Sequence, residues 1–483
     1  MILLWNLSGV LRILSQNQVS TILCYHLEGE ACMSGDDTAQ PSAHSSEPTP
    51  APTMPGLLGP VAPDQRITAI DMLRGVALLG ILVVNIDAFA LPGTIVGNPS
   101  GAGGFTGIHL LEWKFQYLLF YQKMMAIFSA LFGAGLVLMY QRAEASARKL
   151  GGVYYRRILW LLLFGLAHAY LLWFGDILFY YAMCGLLLYL FRRWKPRNLI
   201  IVSITFLLLG IGIPAAGGAF NAQLRGAALR IEKAQAQGQE ITPGEQRIVD
   251  QWHQLEAMFN PDREEINREI QEYRGSYGEI LKARIPQVVT MQTQGFLFMI
   301  FWRVMGIMLL GMALLKLGVF SAKRTQRFYT LCILIGYGVG LPLAYIGMHE
   351  LQAHDFDFIY WLRIGSHYNY VGSLFVAAGH LGVVMTVYKM GLLRGLTSRL
   401  AAVGRMALSN YLFHTVVFTT IFYGYGFGLF GKIDRFWLLL TVFGMWITQL
   451  VISPIWLRYF RFGPAEWLWR SLTYWRRQPM RAA

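Results

Sequence analysis

Ten apolar segments of roughly bilayer length run through this chain, near 69–91, 114–139, 157–174, 176–191, 198–217, 290–318, 328–349, 368–389, 404–428 and 435–459. A hydrocarbon core of about 30 Å is crossed by roughly 20 helical residues. In lipid a helix satisfies its own backbone, so segments of this kind have little other choice of structure. The predicted fold is all-α: a polytopic integral membrane protein with about ten transmembrane helices. The third and fourth segments are short and read as a tight helical hairpin turning at Gly175-Asp176. Composition removes the soluble alternative. Of 483 residues, 55% are hydrophobic and only 14% charged, against about 25% charged in a typical soluble protein.

The net charge of +14 invites a nucleic-acid reading until the basic residues are located. Most sit in short clusters between the apolar runs, so the partner they imply is a lipid bilayer and not DNA or RNA. Alternate connections and the C-terminal tail carry 23 basic residues, while the short loops between them hold four: Lys114, Arg363, Lys432 and Arg435. By the positive-inside rule both termini are cytoplasmic, an N-in/C-in topology. The cysteines Cys24, Cys32, Cys184 and Cys332 show no metal-ligand spacing and no disulfide framework.

Five regions follow. Residues 1–65 are a tail, moderately apolar over 1–24 but broken by polar residues, and rich in Ser, Thr, Pro and Ala beyond Cys32; it reads as disordered or as the product of an upstream start, with Met33 or Met54 as later starts. Residues 66–215 form an N-terminal membrane bundle of five helices, and 290–475 a C-terminal membrane domain of five more. Residues 476–483 are a basic cytoplasmic tail. Between the halves, 216–289 holds nine basic and eleven acidic residues and is predicted to be an outer helical insertion. Thr242-Pro243-Gly244-Glu245 places a cap, a first-turn proline and a capping-box glutamate in register, and Asn260-Pro261 offers a second helix start. Ile248, Trp252, Leu255 and Phe259 make one apolar stripe. The insertion reads either as a cap over the outer mouth or as a unit packed only on itself.

Charges at membrane depth are costly, so each marks a candidate site. Asp71 and Arg74 lie one turn apart at the start of the first span. Asp87 lies sixteen residues on, about 24 Å along the axis, and belongs to the other face. Lys123 is placed about three turns into the second span, and Arg303 similarly deep in the sixth. Asp176 sits at the hairpin turn. Each of these fits either a pathway-lining role or a structural contact. His109 in the first outer loop, His168 in the third span and His414 in the ninth are the candidate general bases.

Four stretches carry a resemblance. The first span reads Arg66-Ile-Thr-Ala-Ile-Asp71-Met-Leu-Arg74-Gly75 and reaches Asn85. The second carries Ile127-Phe128-Ser129-Ala-Leu131-Phe132-Gly133-Ala-Gly135. Near the end come Gly404-Arg405-Met-Ala-Leu-Ser409-Asn410-Tyr411 and Arg461-Phe462-Gly463-Pro464-Ala-Glu466-Trp467-Leu-Trp469-Arg470. Over roughly 66–475 the chain resembles the YeiB-like family of bacterial membrane proteins, whose C-terminal half is a domain of unknown function. That resemblance implies a multi-pass protein of the bacterial inner membrane. Asp71, Arg74, Gly75 and Asn85 are also similar to the first-helix pattern of transmembrane acyltransferases of the heparan-glucosaminide acetyltransferase type. Those proteins take an acetyl group from cytosolic acetyl-CoA and have a catalytic histidine in the loop after this helix, where this chain has His109.

Asp71, Arg74, Arg405, Glu466 and Arg470 are all predicted at the cytoplasmic face. Arginines braced by carboxylates suit a phosphate-bearing group, or else a salt-bridge lattice tying the first and last helices together. Two function classes follow. In the first, acyl-CoA is the donor and His109, His168 or His414 activates a small-molecule, glycan or lipid acceptor. In the second, the protein is a transporter or exporter with Lys123, Asp176 and Arg303 along its pathway.

Overall fold

The computed structural model describes residues 67–93, 98–259 and 262–481; the tail expected at 1–65 lies outside them. Among the described residues the chain is helical, with a single isolated bridge pairing Phe460 and Arg481. The helices are α1 (Thr68–Ala90), α2 (Gly107–Leu119), α3 (Lys123–Ala145), α4 (Gly151–Ala167), α5 (Leu178–Leu188), α6 (Pro196–Ala236), α7 (Pro243–Phe259), α8 (Arg263–Arg274), α9 (Tyr277–Thr290), α10 (Phe301–Lys316), α11 (Gln326–Ala353), α12 (Ser366–Lys389), α13 (Arg394–Arg405), α14 (Ala407–Phe422), α15 (Arg435–Tyr459) and α16 (Pro464–Tyr474).

Among the described residues, seven helical stretches are long and apolar enough to cross a membrane: Thr68–Ala90, Gly107–Ala145, Pro196–Ala236, Tyr277–Lys316, Gln326–Ala353, Phe358–Lys389 and Arg435–Tyr459. Leu178–Phe191 and Ala407–Phe422 are apolar but shorter, and α4 runs on through a π-type turn, His168–Leu172. Each of the ten predicted segments therefore falls on helical structure, two of them on a pair of helices. The protein is a multi-pass membrane protein.

Three boundaries differ from the sequence reading. The second span is broken at Gln122, which takes a left-handed conformation (φ 68°). Lys123 therefore opens α3 and does not lie three turns inside a helix. Its Nζ donates to the Tyr117 carbonyl at 2.6 Å and to Asn369 Oδ1 at 2.6 Å, so it pins the bend to α12. The ninth span breaks at Met406, because the carboxylate of Glu466 caps the new helix by accepting from Leu408 N (2.6 Å) and Ser409 N (3.1 Å). Finally, α6 continues unbroken through the expected boundary at 216. Its 41 residues make a rod of about 60 Å, twice the bilayer core.

Beyond that rod α7, α8 and α9 form the insertion. Thr242 and Glu245 make the anticipated capping contacts. Asn260-Pro261 lies outside the described residues, and the next helix is capped by Asp262, which accepts from Glu265 N at 2.8 Å. A further capping box at Ser276 and Glu279 starts α9. Of the apolar stripe, Ile248, Trp252 and Leu255 pack on Ala228 of α6 and on Ile359, and Phe259 stacks on Phe358. The insertion does not pack only on itself. Gly424 N donates to Tyr273 O at 2.9 Å, Arg274 Nε to Phe430 O at 2.7 Å, and Gly93 N to Glu269 at 2.8 Å.

The described residues pack as one compact unit. Helices of the two sequence halves interleave: α1 lies on α13, and α3 and α6 lie on α10. The α1–α13 crossing is the closest of these to the candidate site. A Cβ on Gly75 would run into the Leu400 carbonyl oxygen, and one on Gly404 into the Asp71 carbonyl oxygen. Small residues let the two backbones touch, as they do at other membrane helix crossings.

Candidate functional site

The touching backbones fix what stands beside them. Arg74 Nη1 donates to Asp71 Oδ1 at 2.7 Å, with the Gly404 carbonyl at 3.4 Å. Arg405 follows Gly404 and has its Nε buried without a hydrogen-bond partner. The end of α3 contributes Arg142, α4 contributes Arg157, and α16 contributes Trp469 and Arg470. These residues converge at the mouth of one cavity of about 300 Å³. Arg157 stacks 3.8 Å over the Trp469 ring, whose Nε1 donates to the Arg157 carbonyl at 2.9 Å.

Away from the arginines the lining turns apolar, with Leu78, Ile81, Phe128, Leu131, Phe132 and Leu161 among its walls. Ile177, Leu178, Tyr181 and Tyr411 also border it. The Tyr181 hydroxyl meets Ser129 Oγ at 2.8 Å, and the Tyr411 ring lies 5.1 Å from the ring of His168. There, next to Ile177 in the chain, stands a buried polar group. His168 Nδ1 is 2.8 Å from Asp176 Oδ1, and His168 Nε2 is 2.9 Å from Thr415 Oγ1. The second Asp176 oxygen accepts from Phe179 N at 2.7 Å, which anchors the carboxylate to the first turn of α5.

All five residues predicted to bind a ligand, Asp71, Arg74, Arg405, Glu466 and Arg470, border this cavity. Glu466 does not brace an arginine there. Its oxygens are taken by the α14 amides and by Ser409 Oγ at 2.5 Å. Burial pushes its carboxyl up from the ordinary value, opposed by the Ser409 hydroxyl and the amides.

The three histidines are separate. His168 stands behind the cavity. His414, beside Thr415 in sequence, points to another helix and meets Gln449 Oε1 at 2.9 Å. His109 is at the start of α2, where its Nδ1 accepts from Phe436 N at 3.4 Å, and Asp434 lies 3.9 Å from its Nε2. Near it, Arg435 lies between the Ala102 and Gly104 carbonyls and Asp87. Lys123 and Arg303 are tied to internal partners; Arg303 donates to Tyr370 O at 3.0 Å and to Ser373 Oγ at 2.6 Å. The sequence reading missed Thr415, and it used Arg142 and Arg157 only for orientation. Their position at the ends of apolar segments was the available signal.

A family model described as "Protein of unknown function (DUF418)" matches residues 314–476. "Uncharacterized protein YxaH" of Bacillus subtilis (strain 168) is 31% identical over 445 residues, covering 88% of this chain and 98% of that protein. "Uncharacterized protein YeiB" of Escherichia coli (strain K12) is 30% identical over 418 residues, covering 85% and 96%. An uncharacterised protein of Bacillus acidopullulyticus is 28% identical over 427 residues, covering 88% and 98%. No solved structure matches. With relatives matched over nearly their whole lengths, this chain belongs to the YeiB-like family, and the DUF418 domain forms its C-terminal part.

Proposed function

We propose that the protein transfers an acyl group from a cytoplasmic acyl-CoA to a glycan, lipid or small-molecule acceptor of the bacterial envelope. The observation that carries this reading is the two-part cavity: arginines from five helices at one end, apolar walls behind them. Planar guanidinium donors suit phosphate oxygens, and they stand where the positive-inside rule puts the cytoplasm. A volume of about 300 Å³ is that of an ordinary small-molecule pocket and admits a slender chain. The phosphates would stay at the mouth while the pantetheine arm and its acyl group enter. From Asp71 to Ile81 the cavity follows ten residues of α1, about 15 Å of axis, a span suited to such an arm. His168, oriented by Asp176, is the candidate base closest to the inner end.

The competing reading is transport without chemical change. Of Lys123, Asp176 and Arg303, the residues a pathway would use, the two cations are held by carbonyls and side chains of the bundle, which favours transfer. Mass spectrometry of envelope glycans and lipids with and without the gene separates the two. A gene-dependent acyl mass supports transfer; altered uptake with unchanged envelope chemistry replaces it with transport.

A further inference from the structure

An acyl donor that enters from the arginine end and an acceptor that waits at the insertion end face a common obstacle. The protein between them is packed. Tyr411 belongs to the hydrophobic cluster around the cavity, while Trp173, Phe89 and Phe418 belong to a second cluster that reaches up to Tyr273 and Ile280 of the insertion. His168 lies between the two, 5.1 Å from the Tyr411 ring and 6.2 Å from the Trp173 ring. The Asp176–His168–Thr415 group is thus the polar link across the dividing layer.

We propose that Thr415 is the nucleophile of a covalent relay, which carries the acyl group past this layer as an ester on its Oγ1. The inference rests on the acyl-transfer reading above, and it adds an assignment for Thr415.

Three observations carry it. The group has the geometry of an activated hydroxyl: carboxylate to Nδ1 at 2.8 Å, Nε2 to hydroxyl at 2.9 Å. With the Nδ1 proton donated to Asp176, Nε2 is the free acceptor that can take the hydroxyl proton. Next, Thr415 behaves unlike its neighbours on α14. Thr419 and Thr420 donate to the carbonyls four residues back, both at 2.7 Å, the ordinary use of a threonine in a membrane helix. The Thr415 hydroxyl instead leaves its helix for a histidine on the α4 hairpin. Last, all three side chains are buried at membrane depth, with Thr415 fully so and His168 and Asp176 2% and 3% exposed. Ionisable groups in such a place are costly, which makes them functional candidates by default. Thr415 lies one helical turn past Tyr411, about 6 Å along the axis, and Tyr411 borders the cavity.

The chemistry balances in two steps. Thr415 Oγ1 attacks the thioester carbonyl, its proton passes to His168 Nε2, the C–S bond breaks, and the CoA sulfur leaves with that proton as a thiol. An acceptor hydroxyl then attacks the threonyl ester, gives its proton to His168 Nε2, and that proton returns to Thr415 Oγ1 as the ester bond breaks. Asp176 positions the imidazole and stabilises it while it is charged.

The test uses the full-length protein in nanodiscs with acetyl-CoA as the probe and no acceptor, quenched in denaturant and analysed as peptides. An acetyl group on the peptide bearing Thr415, released by hydroxylamine, is the expected result. It should be absent from Thr415→Val, which keeps the side-chain shape, and present in Thr415→Ser. In cells, Thr415→Val should lower gene-dependent envelope acylation by about 100-fold or more, with folded yield in detergent unchanged. No adduct in the wild type, or an adduct elsewhere that persists in Thr415→Val, overturns the relay. Full envelope acylation in Thr415→Val also removes the relay and leaves acyl transfer standing. Absence of gene-dependent acylation in the wild type removes both.

Discussion

The α1–α13 crossing offers the sharpest test of how the site is built. A Cβ on Gly75 would overlap the Leu400 carbonyl oxygen and lie 2.9 Å from its carbon; one on Gly404 would overlap the Asp71 carbonyl oxygen and lie 2.8 Å from Gly75 N. Ordinary contacts between such atoms sit near 3.5 Å, so the helices must part by about 1.5 Å. A gap of that size forfeits about half or more of each van der Waals contact along the seam. Overpacking typically costs about 1–3 kcal/mol. Because the obstacle here is backbone on both sides, we expect Gly75→Ala and Gly404→Ala each near the upper end of that range. One separation relieves both clashes, so the double variant should cost about as much as the worse single change, well short of the sum. Gly395→Ala, on the same α13 with nothing within 4 Å of the added carbon, is the control and should be neutral or slightly stabilising. Equilibrium unfolding in mixed detergent–SDS micelles reads all four. Strict additivity, or single variants within about 0.5 kcal/mol of wild type, would refute the close approach.

Four shorter predictions follow from the same contacts. Arg74→Lys keeps the charge beside Asp71 but loses the planar fork; envelope acylation should fall while folded yield holds, and unchanged acylation would remove Arg74 from donor binding. Lys123→Met orphans the Tyr117 carbonyl and Asn369 Oδ1, at about 1–3 kcal/mol for each lost partner; wild-type unfolding would show that the bend at Gln122 does not need it. For topology, cysteines at Gln237 and Arg477, both exposed, are treated with an impermeant thiol reagent in intact cells; labelling at Gln237 alone is expected, and labelling at Arg477 alone reverses the orientation. Glu245 and Glu279 are held below the usual glutamate value, by the Thr242 amide and the Ser276 hydroxyl respectively. Their contribution is therefore present above the unfolded value near 4.5 and lost as pH falls through the folded one; amide exchange corrected for its intrinsic pH dependence should show the first turns of α7 and α9 loosening in acid, and equal protection at pH 3 and 6 would contradict this.

How much of this was legible beforehand depends on the kind of signal. Apolar length survives any packing arrangement, because lipid forces a backbone to bond within its own helix. Hence all ten segments were readable, as was the hairpin at Gly175-Asp176. Breaks inside segments were not. The bend before Lys123 and the break at Met406 are held by Asn369 and Glu466, each far away in the chain, and no local propensity announces a distant acceptor. Similarly, the motifs brought Asp71, Arg74, Arg405, Glu466 and Arg470 to one face, and one cavity collects them. The division of labour among them could not be read, since Asp71 and Glu466 are both carboxylates near arginines in sequence terms.

The sequence by itself determined a helical membrane protein with its basic residues gathered between spans, through hydrophobic length and composition. Only the tertiary structure decided that Glu466 caps a helix, that His414 turns away from its neighbour Thr415, and that His168, Asp176 and Thr415 meet. Those outcomes depend on which way a helix face points at a crossing. Adjacent residues on a helix look in different directions, about 100° apart, and the rotation of each helix is set by small residues such as Gly75 and Gly404, where two backbones touch.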